Sequence, residues 1–236
     1  MTTAAGEAPR SARGGLLLAG GRSSRMGRPK ALLRVGGIAM VAHVARALED
    51  ACDELVVVVA PGPDPSAFAG EDELRDALRA TRFAARPGAL RFARDSSPGR
   101  GPVAGLAAGL SESRADLVLV APCDLPFLSP TLVAGLFDLA GGPSSPDVVA
   151  ARRGGFWEPM PVVLRRATTA LVYVDRLARG DLRPTAPWRE LRVVAVEGEA
   201  LSLLDPGDAS FLGVNDPAEL ARAQARFDAA RGVTRR

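Results

Sequence analysis

The sequence has 236 residues, 47% of them hydrophobic, 24% charged and 5% aromatic, with a net charge of +3. That length suits one α/β domain with a sizeable core, and the apolar content excludes a disordered chain. Three further classes are excluded. No apolar run approaches the ~18 residues that span a bilayer. The basic residues form neither a block nor a stripe interleaved with aromatics, as a polynucleotide binder would show. Two cysteines, Cys52 and Cys123, are too few for a disulfide framework. The balance fits a cytoplasmic protein that meets a small anionic ligand rather than a nucleic acid or a membrane.

Met1 to Arg13 is small, polar and charged and reads as a disordered tail. The first strand is Gly15 to Ala19, closed by a glycine turn. Ile38 to Ala51 places Met40, Val41, Val44, Ala45 and Leu48 at helical spacing. Leu55 to Ala60 is a β-branched run of the kind buried on both faces of a parallel sheet. Glu71 to Ala80 is a surface helix, Leu90 to Ala93 a strand, and Val103 to Leu110 a helix of small residues after Gly101 and Pro102. Leu117 to Ala121 is a further buried strand that ends in Pro122, Cys123 and Asp124. Ser129 caps a helix with Pro130 at its first position, running to Ala140. The second half gives strands at Asp147 to Ala151 and Met160 to Leu164, then a helix from Ala167 to Arg179 that Gly180 terminates. A strand at Arg192 to Val196, a last strand at Phe211 to Val214 and a last helix at Pro217 to Phe227 complete the chain, with residues 229–236 as a tail. This alternation predicts a Rossmann-like three-layer α/β/α fold with a mostly parallel central sheet, in one domain over residues 14–228.

The chemistry gathers at the ends of two of these strands. Leu18 to Lys30 reads LAGGRSSRMGRPK. Gly20 and Gly21 let the backbone approach a ligand closely, and their amides suit a concave anion nest. Arg25 and Lys30 supply positive charge for phosphates. Lys30 is the only lysine among 30 basic residues, and a compact ammonium on a flexible stem does work that a guanidinium does not always replace. The loop is neither GxxxxGK[ST] nor GxGxxG, which disfavours a dinucleotide-binding oxidoreductase; a glycine pair alone would mark only a sharp turn. Asp124 lies at the carboxyl end of a buried strand, the edge where open α/β sheets bind ligands. Facing a phosphate loop, it suits Mg²⁺, which takes one or two carboxylates together with phosphate oxygens and water; the alternative is a cap on the turn before Pro126. His43, the single histidine, sits on an amphipathic helix and is assigned to a surface or interface rather than to catalysis. Cys123 reads as a small core residue. Trp157 and Trp188 either line an acceptor cleft or pack a core.

LAGGRSSRMGRPKALL resembles the signature of the nucleotidyltransferases related to molybdenum cofactor guanylyltransferase. The resemblance continues in order through Asp95 with Gly101 to Leu106 (GPVAGL), Pro122 to Pro126 (PCDLP), Glu158 to Pro161 (EPMP) and Phe211 to Pro217 (FLGVNDP), and it spans Gly14 to Phe227. It implies a nucleotide-diphospho-sugar transferase-like fold in which residues 148–208 form an acceptor-facing subregion. It implies transfer of GMP from GTP to molybdopterin, giving molybdopterin guanine dinucleotide and pyrophosphate. In that reading Leu18, Ala19, Gly20, Gly21, Lys30, Asp95 and Asp124 contact the nucleotide. Lys30 and Arg25 stabilise charge on the phosphates, and Asp124 and Asn215 hold Mg²⁺. Asp95 is alternatively a turn residue beside Ser96, Ser97 and Pro98. The chain departs from the family pattern at Pro29, where an aspartate is common, at Val59, where an asparagine is expected, and in GVNDPAEL, which lacks one asparagine and the threonine. These departures bear on the base, so cytidylyl transfer from CTP and sugar-1-phosphate nucleotidyl transfer stand as alternatives. So does an inactive partner that binds cofactor and delivers it in transient contact with a molybdoenzyme.

Overall fold

The structure is a computed structural model that describes residues 11–20, 28–60, 68–97 and 99–232. Arg25 and Gly21 of the glycine-rich loop, and residues 1–10 of the expected N-terminal tail, lie outside the described residues. The central sheet contains β1 (Arg13–Leu18), β4 (Glu54–Val59), β5 (Leu90–Arg94), β6 (Leu117–Pro122), β7 (Val148–Arg153), β8 (Phe156–Arg165) and β9 (Val193–Val196). Their order is β5-β4-β1-β6-β8-β7-β9. β5, β4, β1 and β6 are mutually parallel, β8 runs antiparallel to β6 and β7, and β9 is parallel to β7. The four parallel strands therefore end along one edge, and the β7–β8 hairpin turns at the same edge.

Alternation along the buried strands divides the core. Leu17, Val57 and Leu119 face one cluster with α1 (Met40–Leu48), α2 (Glu71–Leu78) and α5 (Pro130–Ala140). Leu16, Val56, Val58, Val118 and Val120 face the other, with α4 (Gly101–Glu112) and α6 (Arg166–Arg179), which pack against each other. A strand buried on both faces has no polar side, which is why these runs are continuously apolar. Gly109 lets α4 lie close to the sheet: a Cβ there would stand 2.2 Å from Leu16 Cδ1. A third, smaller cluster joins α8 (Pro217–Ala230) to Val35 of the two-residue strand β2 (Arg34–Val35), which pairs with β3 (Ile38–Ala39), and to Met40 of α1. Among the described residues no helix is long and apolar enough to cross a membrane.

Several boundaries differ from the sequence reading. β1 starts at Arg13 and β8 at Phe156, both earlier than expected. The β2–β3 hairpin, a short helix α3 (Arg82–Ala85) and a helix α7 (Gly198–Leu204) were not foreseen. Phe211 to Val214 is not a strand. Both edges of β6 are already taken by β1 and β8, so this apolar segment has no ladder to join. A single bond, from Val214 N–H to the Asp124 carbonyl at 3.0 Å, ties it to the sheet edge.

Candidate functional site

The site is built on the carboxyl ends of β1 and β6. After β1, the Ala19 N–H donates to the Val58 carbonyl at 3.0 Å, and the Leu18 carbonyl accepts from the Cys123 N–H at 3.2 Å. These bonds hold Leu18, Ala19 and Gly20 between the ends of β4 and β6. Gly20 passes so close to Ala60 that a Cβ would lie 2.5 Å from its Cβ and 2.9 Å from its backbone nitrogen. Only glycine fits without moving the backbone.

Lys30 opens a 3₁₀ turn, Lys30–Leu32, after Pro29. Ala31 anchors that turn in the core, 1% exposed, and the Leu33 N–H donates back to the Lys30 carbonyl at 3.1 Å. The turn aims the only lysine along the sheet edge. Its Nζ donates to Asp124 Oδ2 at 3.0 Å and to Asn215 Oδ1 at 2.7 Å. Asp124 and Lys30 are each mostly covered, with side chains 19% and 16% exposed, so water screens the pair only in part. Asp124 is fixed at its ends: Cys123 before it bonds to β1, and the Asp124 carbonyl receives Val214. The Cys123 thiol is buried and pushed up to about 12, chiefly by burial and then by the neighbouring Asp124 carboxylate, with Lys30 acting in the opposite sense. A thiol so held stays protonated and serves as core.

Asn215 comes from the segment before α8, which capping positions. Asp216 Oδ1 accepts from the Glu219 N–H at 2.8 Å, while Glu219 Oε2 accepts from the Asn215 N–H at 2.6 Å. This reciprocal cap satisfies two amides at the start of the helix and fixes the backbone that presents Asn215. Farther back, Ser210 Oγ accepts from the Ser129 N–H at 2.9 Å and joins the same loop to the start of α5.

A carboxylate oxygen and an amide oxygen converge on one cation, the Lys30 ammonium. Both are hard donors of the type magnesium takes, with phosphate oxygens and water as the remaining ligands. Among the described residues there is no group of three or more His, Cys, Asp or Glu that forms an all-protein cage, and a magnesium ion shared with substrate phosphates needs none. The residues fit the ion.

Asp95 lies at the end of β5, at the same edge. It is buried, and its Oδ1 accepts from the Ser97 N–H at 2.8 Å, so it forms the local turn. Its backbone N–H donates to the Val59 carbonyl, which ties Asp95 to the end of β4 near Ala60 and Gly20. Val59 itself is packed in the apolar core. His43 is half-buried: a ring nitrogen lies 2.8 Å from the Val35 carbonyl, and the ring meets Phe227 edge-on at 5.6 Å. Burial lowers its pKa; the Val35 carbonyl opposes this, and Arg46 adds to the lowering. Trp188 is buried and donates from its ring N–H to Tyr173 Oη at 3.0 Å, and it meets Trp157 edge-on at 5.4 Å. That pair borders a cavity of about 570 Å³ with Arg176 and Arg183, which shares no residue with the Lys30 cluster. The role of Glu219 in holding Asn215 was not foreseen. The signal was present as Asn215-Asp216-Pro217 followed by Glu219, a capping sequence at the mouth of a helix.

Residues 15–189 match the family described as the MobA-like NTP transferase domain. A probable molybdenum cofactor guanylyltransferase of Natronomonas pharaonis is 32% identical over 217 residues, covering 91% of this chain and 98% of that protein. A molybdenum cofactor guanylyltransferase of Pseudomonas paraeruginosa is 31% identical, with 88% and 92% covered. Among solved structures, molybdopterin-guanine dinucleotide biosynthesis protein A from Archaeoglobus fulgidus superposes with a TM-score of 0.67 at 24% identity, covering 92% of this chain and 99% of that one. The 2-C-methyl-D-erythritol 4-phosphate cytidylyltransferase of Thermus thermophilus shares the fold, with a TM-score of 0.60 at 20% identity and 92% and 98% covered. By the family match over most of its length and by these relatives, the chain belongs to the MobA-like NTP transferase family.

Proposed function

We propose that this protein is a cytoplasmic enzyme that transfers GMP from GTP to molybdopterin, forming molybdopterin guanine dinucleotide and releasing pyrophosphate. The observation that carries this reading is the convergence of Lys30, Asp124 and Asn215 at the end of the parallel strands. One ammonium and two oxygen donors are gathered there, beside a glycine that admits close backbone approach. The names of the relatives choose the base and the acceptor.

The triphosphate lies over the end of β1, with Leu18 and Ala19 beside the base and ribose and Gly20 beneath the phosphates. Asp95 closes the nucleotide side. Arg25, in the same loop, adds a second cation. Asp124 and Asn215 would hold Mg²⁺, and the ion would supply Lewis-acid neutralisation of phosphate charge. Lys30 turns from its two oxygen partners to the phosphates and holds the charge that develops there. A phosphate oxygen of the acceptor attacks the α-phosphorus of GTP. The bond from that phosphorus to the bridging oxygen breaks, and pyrophosphate departs with the electron pair. A phosphate monoester is already anionic, so no general base is required. The acceleration comes from positioning and fixed charge.

Pyrophosphate release from GTP in the presence of molybdopterin and Mg²⁺ tests the reading directly. A thermal-shift panel with GTP, CTP, UTP and ATP tests the base. A nucleotide at 100 times its Kd stabilises the fold by about 2.7 kcal/mol, and GTP is expected to give the largest shift. Pro29 before the lysine and the apolar Val59 depart from the guanylyl pattern, and a larger shift with CTP would select the cytidylyl alternative.

A further inference from the structure

A second cavity of about 570 Å³ opens between α8 and the segment that carries Asn215, a volume in the range of small-molecule sites. Phe127, Phe211 and Val214 give it apolar walls, and Arg222 and Arg226 line it from α8. Four residues apart on a helix, those two arginines rise about 6 Å along the same face. The Arg226 guanidinium stands 5.5 Å from the centre of the Phe127 ring, and Arg153 of β7 stands 4.8 Å from that of Phe211. The cavity reaches the site already described through one residue: Asn215 lines it and accepts from Lys30 Nζ at 2.7 Å.

We propose that this cavity is the acceptor subsite, in which Arg222 and Arg226 hold the flat heterocycle of the phosphorylated pterin while its phosphate lies toward Asn215. The inference rests on the function proposed above. Three observations favour this cavity over the one beneath Trp157. The latter shares no residue with the Lys30 cluster, whereas a second substrate must bring its phosphate to the α-phosphorus. Two of the three arginines beneath Trp157, Arg176 and Arg183, already stand 3.1 and 3.2 Å from Asp181. The arginines of the α8 cavity are held less tightly: its one acid, Glu219, accepts the Asn215 amide and stands 3.9 Å from Arg222. Guanidinium planes stack on flat rings and donate along their edges, and phenylalanine walls accept the apolar faces of such a ring.

The test is a steady-state comparison of wild type with Arg222→Ala, Arg226→Gln and Trp157→Ala, paired with pterin fluorescence titrations without nucleotide. Arg222 has a side chain 70% exposed, so its replacement leaves the fold intact. Each arginine variant is expected to raise the KM for molybdopterin about tenfold or more, as loss of a charged donor does, with the KM for GTP within twofold of wild type. Pterin affinity should fall in parallel. An unchanged acceptor KM in both arginine variants, or a rise confined to Trp157→Ala, overturns the assignment and leaves the proposed reaction standing. If wild type makes no pyrophosphate from GTP and molybdopterin, the reaction falls. The cavity is then judged by the titration alone, where loss of pterin binding in Arg222→Ala supports it and equal binding or none sinks it.

Discussion

Lys30→Ala is expected to change cation binding and turnover in opposite directions. The Lys30 ammonium occupies the point where Asp124 Oδ2 and Asn215 Oδ1 converge, at 3.0 and 2.7 Å. A divalent ion that takes those two oxygens must first displace it. Hydrogen bonds to charged groups are worth about 1.5–3 kcal/mol each, and partial exposure of the pair moves the estimate toward the lower figure. Freed of a competitor whose two bonds sum to about 3 kcal/mol at the lower figure, the alanine variant should bind a divalent ion about a hundredfold more tightly, at 1.4 kcal/mol per tenfold. Turnover should fall about 10²–10³-fold, the usual effect of removing one donor to a developing anion. Mn²⁺ titration followed by electron paramagnetic resonance, without nucleotide, reads the first effect, and pyrophosphate release reads the second. Asp124→Asn serves as the control that loses Mn²⁺ altogether. Equal or weaker Mn²⁺ binding by Lys30→Ala would refute the competition and, with it, the assignment of Asp124 and Asn215 as ligands.

Other substitutions probe the frame around the site. Gly20→Ala places a methyl group 2.5 Å from Ala60 Cβ and 2.9 Å from its backbone nitrogen. It should cost about 1–3 kcal/mol in urea unfolding and abolish the GTP thermal shift. Glu54 is half-buried at the opposite end of the sheet, and burial alone would raise its pKa. Bonds from Ser113 Oγ, the Arg114 N–H and Arg91 overcome that and leave it below the ordinary value of a glutamate. A depressed folded-state pKa contributes stability above the unfolded value that is lost as pH falls through the folded one. Wild type should therefore exceed Glu54→Gln in urea midpoint most clearly above pH 4.5, and the gap should close in acid. The lowered pKa of His43 has the matching sign for a base: the single histidine resonance should titrate below 6.5, and stability should decline as pH drops beneath that value.

The parts of the fold legible in the sequence were those where one physical signal acts alone. LVVVV and LVLVA are apolar without interruption because β4 and β6 are covered on both faces. Ser129 marks the start of α5 because its Oγ accepts from the Leu132 N–H, and Gly180 marks the end of α6 because it takes φ of +75°. What escaped depended on competing signals. Gly36 and Gly37, at φ of +59° and +79°, form the two-residue turn of the β2–β3 hairpin, but its strands are two residues each and carry no period to detect. Pro159 and Pro161 masked the first half of β8, which tolerates them beyond its regular pairing with β6. Helix α7 opens on Gly198 at φ of +58°, a residue that reads as a breaker.

The site was legible residue by residue but not as a constellation, and the reason lies in the sheet. Lys30 is 94 positions from Asp124 and 185 from Asn215. Parallel pairing of β1 with β6 brings the first two together, since both strands end at one edge, and this much follows from the βα alternation. Asn215 arrives by another route. The antiparallel β8 closes the far side of β6 and denies Phe211 to Val214 a place in the ladder. The segment is instead pinned at single points: Val214 on the Asp124 carbonyl, Ser210 on Ser129, and Asn215 on the Glu219 cap. A strand there would have fixed Asn215 by register. A pinned loop fixes it by three separable bonds, so its position can be loosened without unfolding the sheet. The consequence is directional: damage to the Glu219 cap should spread into cation binding while leaving the Lys30–Asp124 contact in place, because no bond of that pair passes through α8.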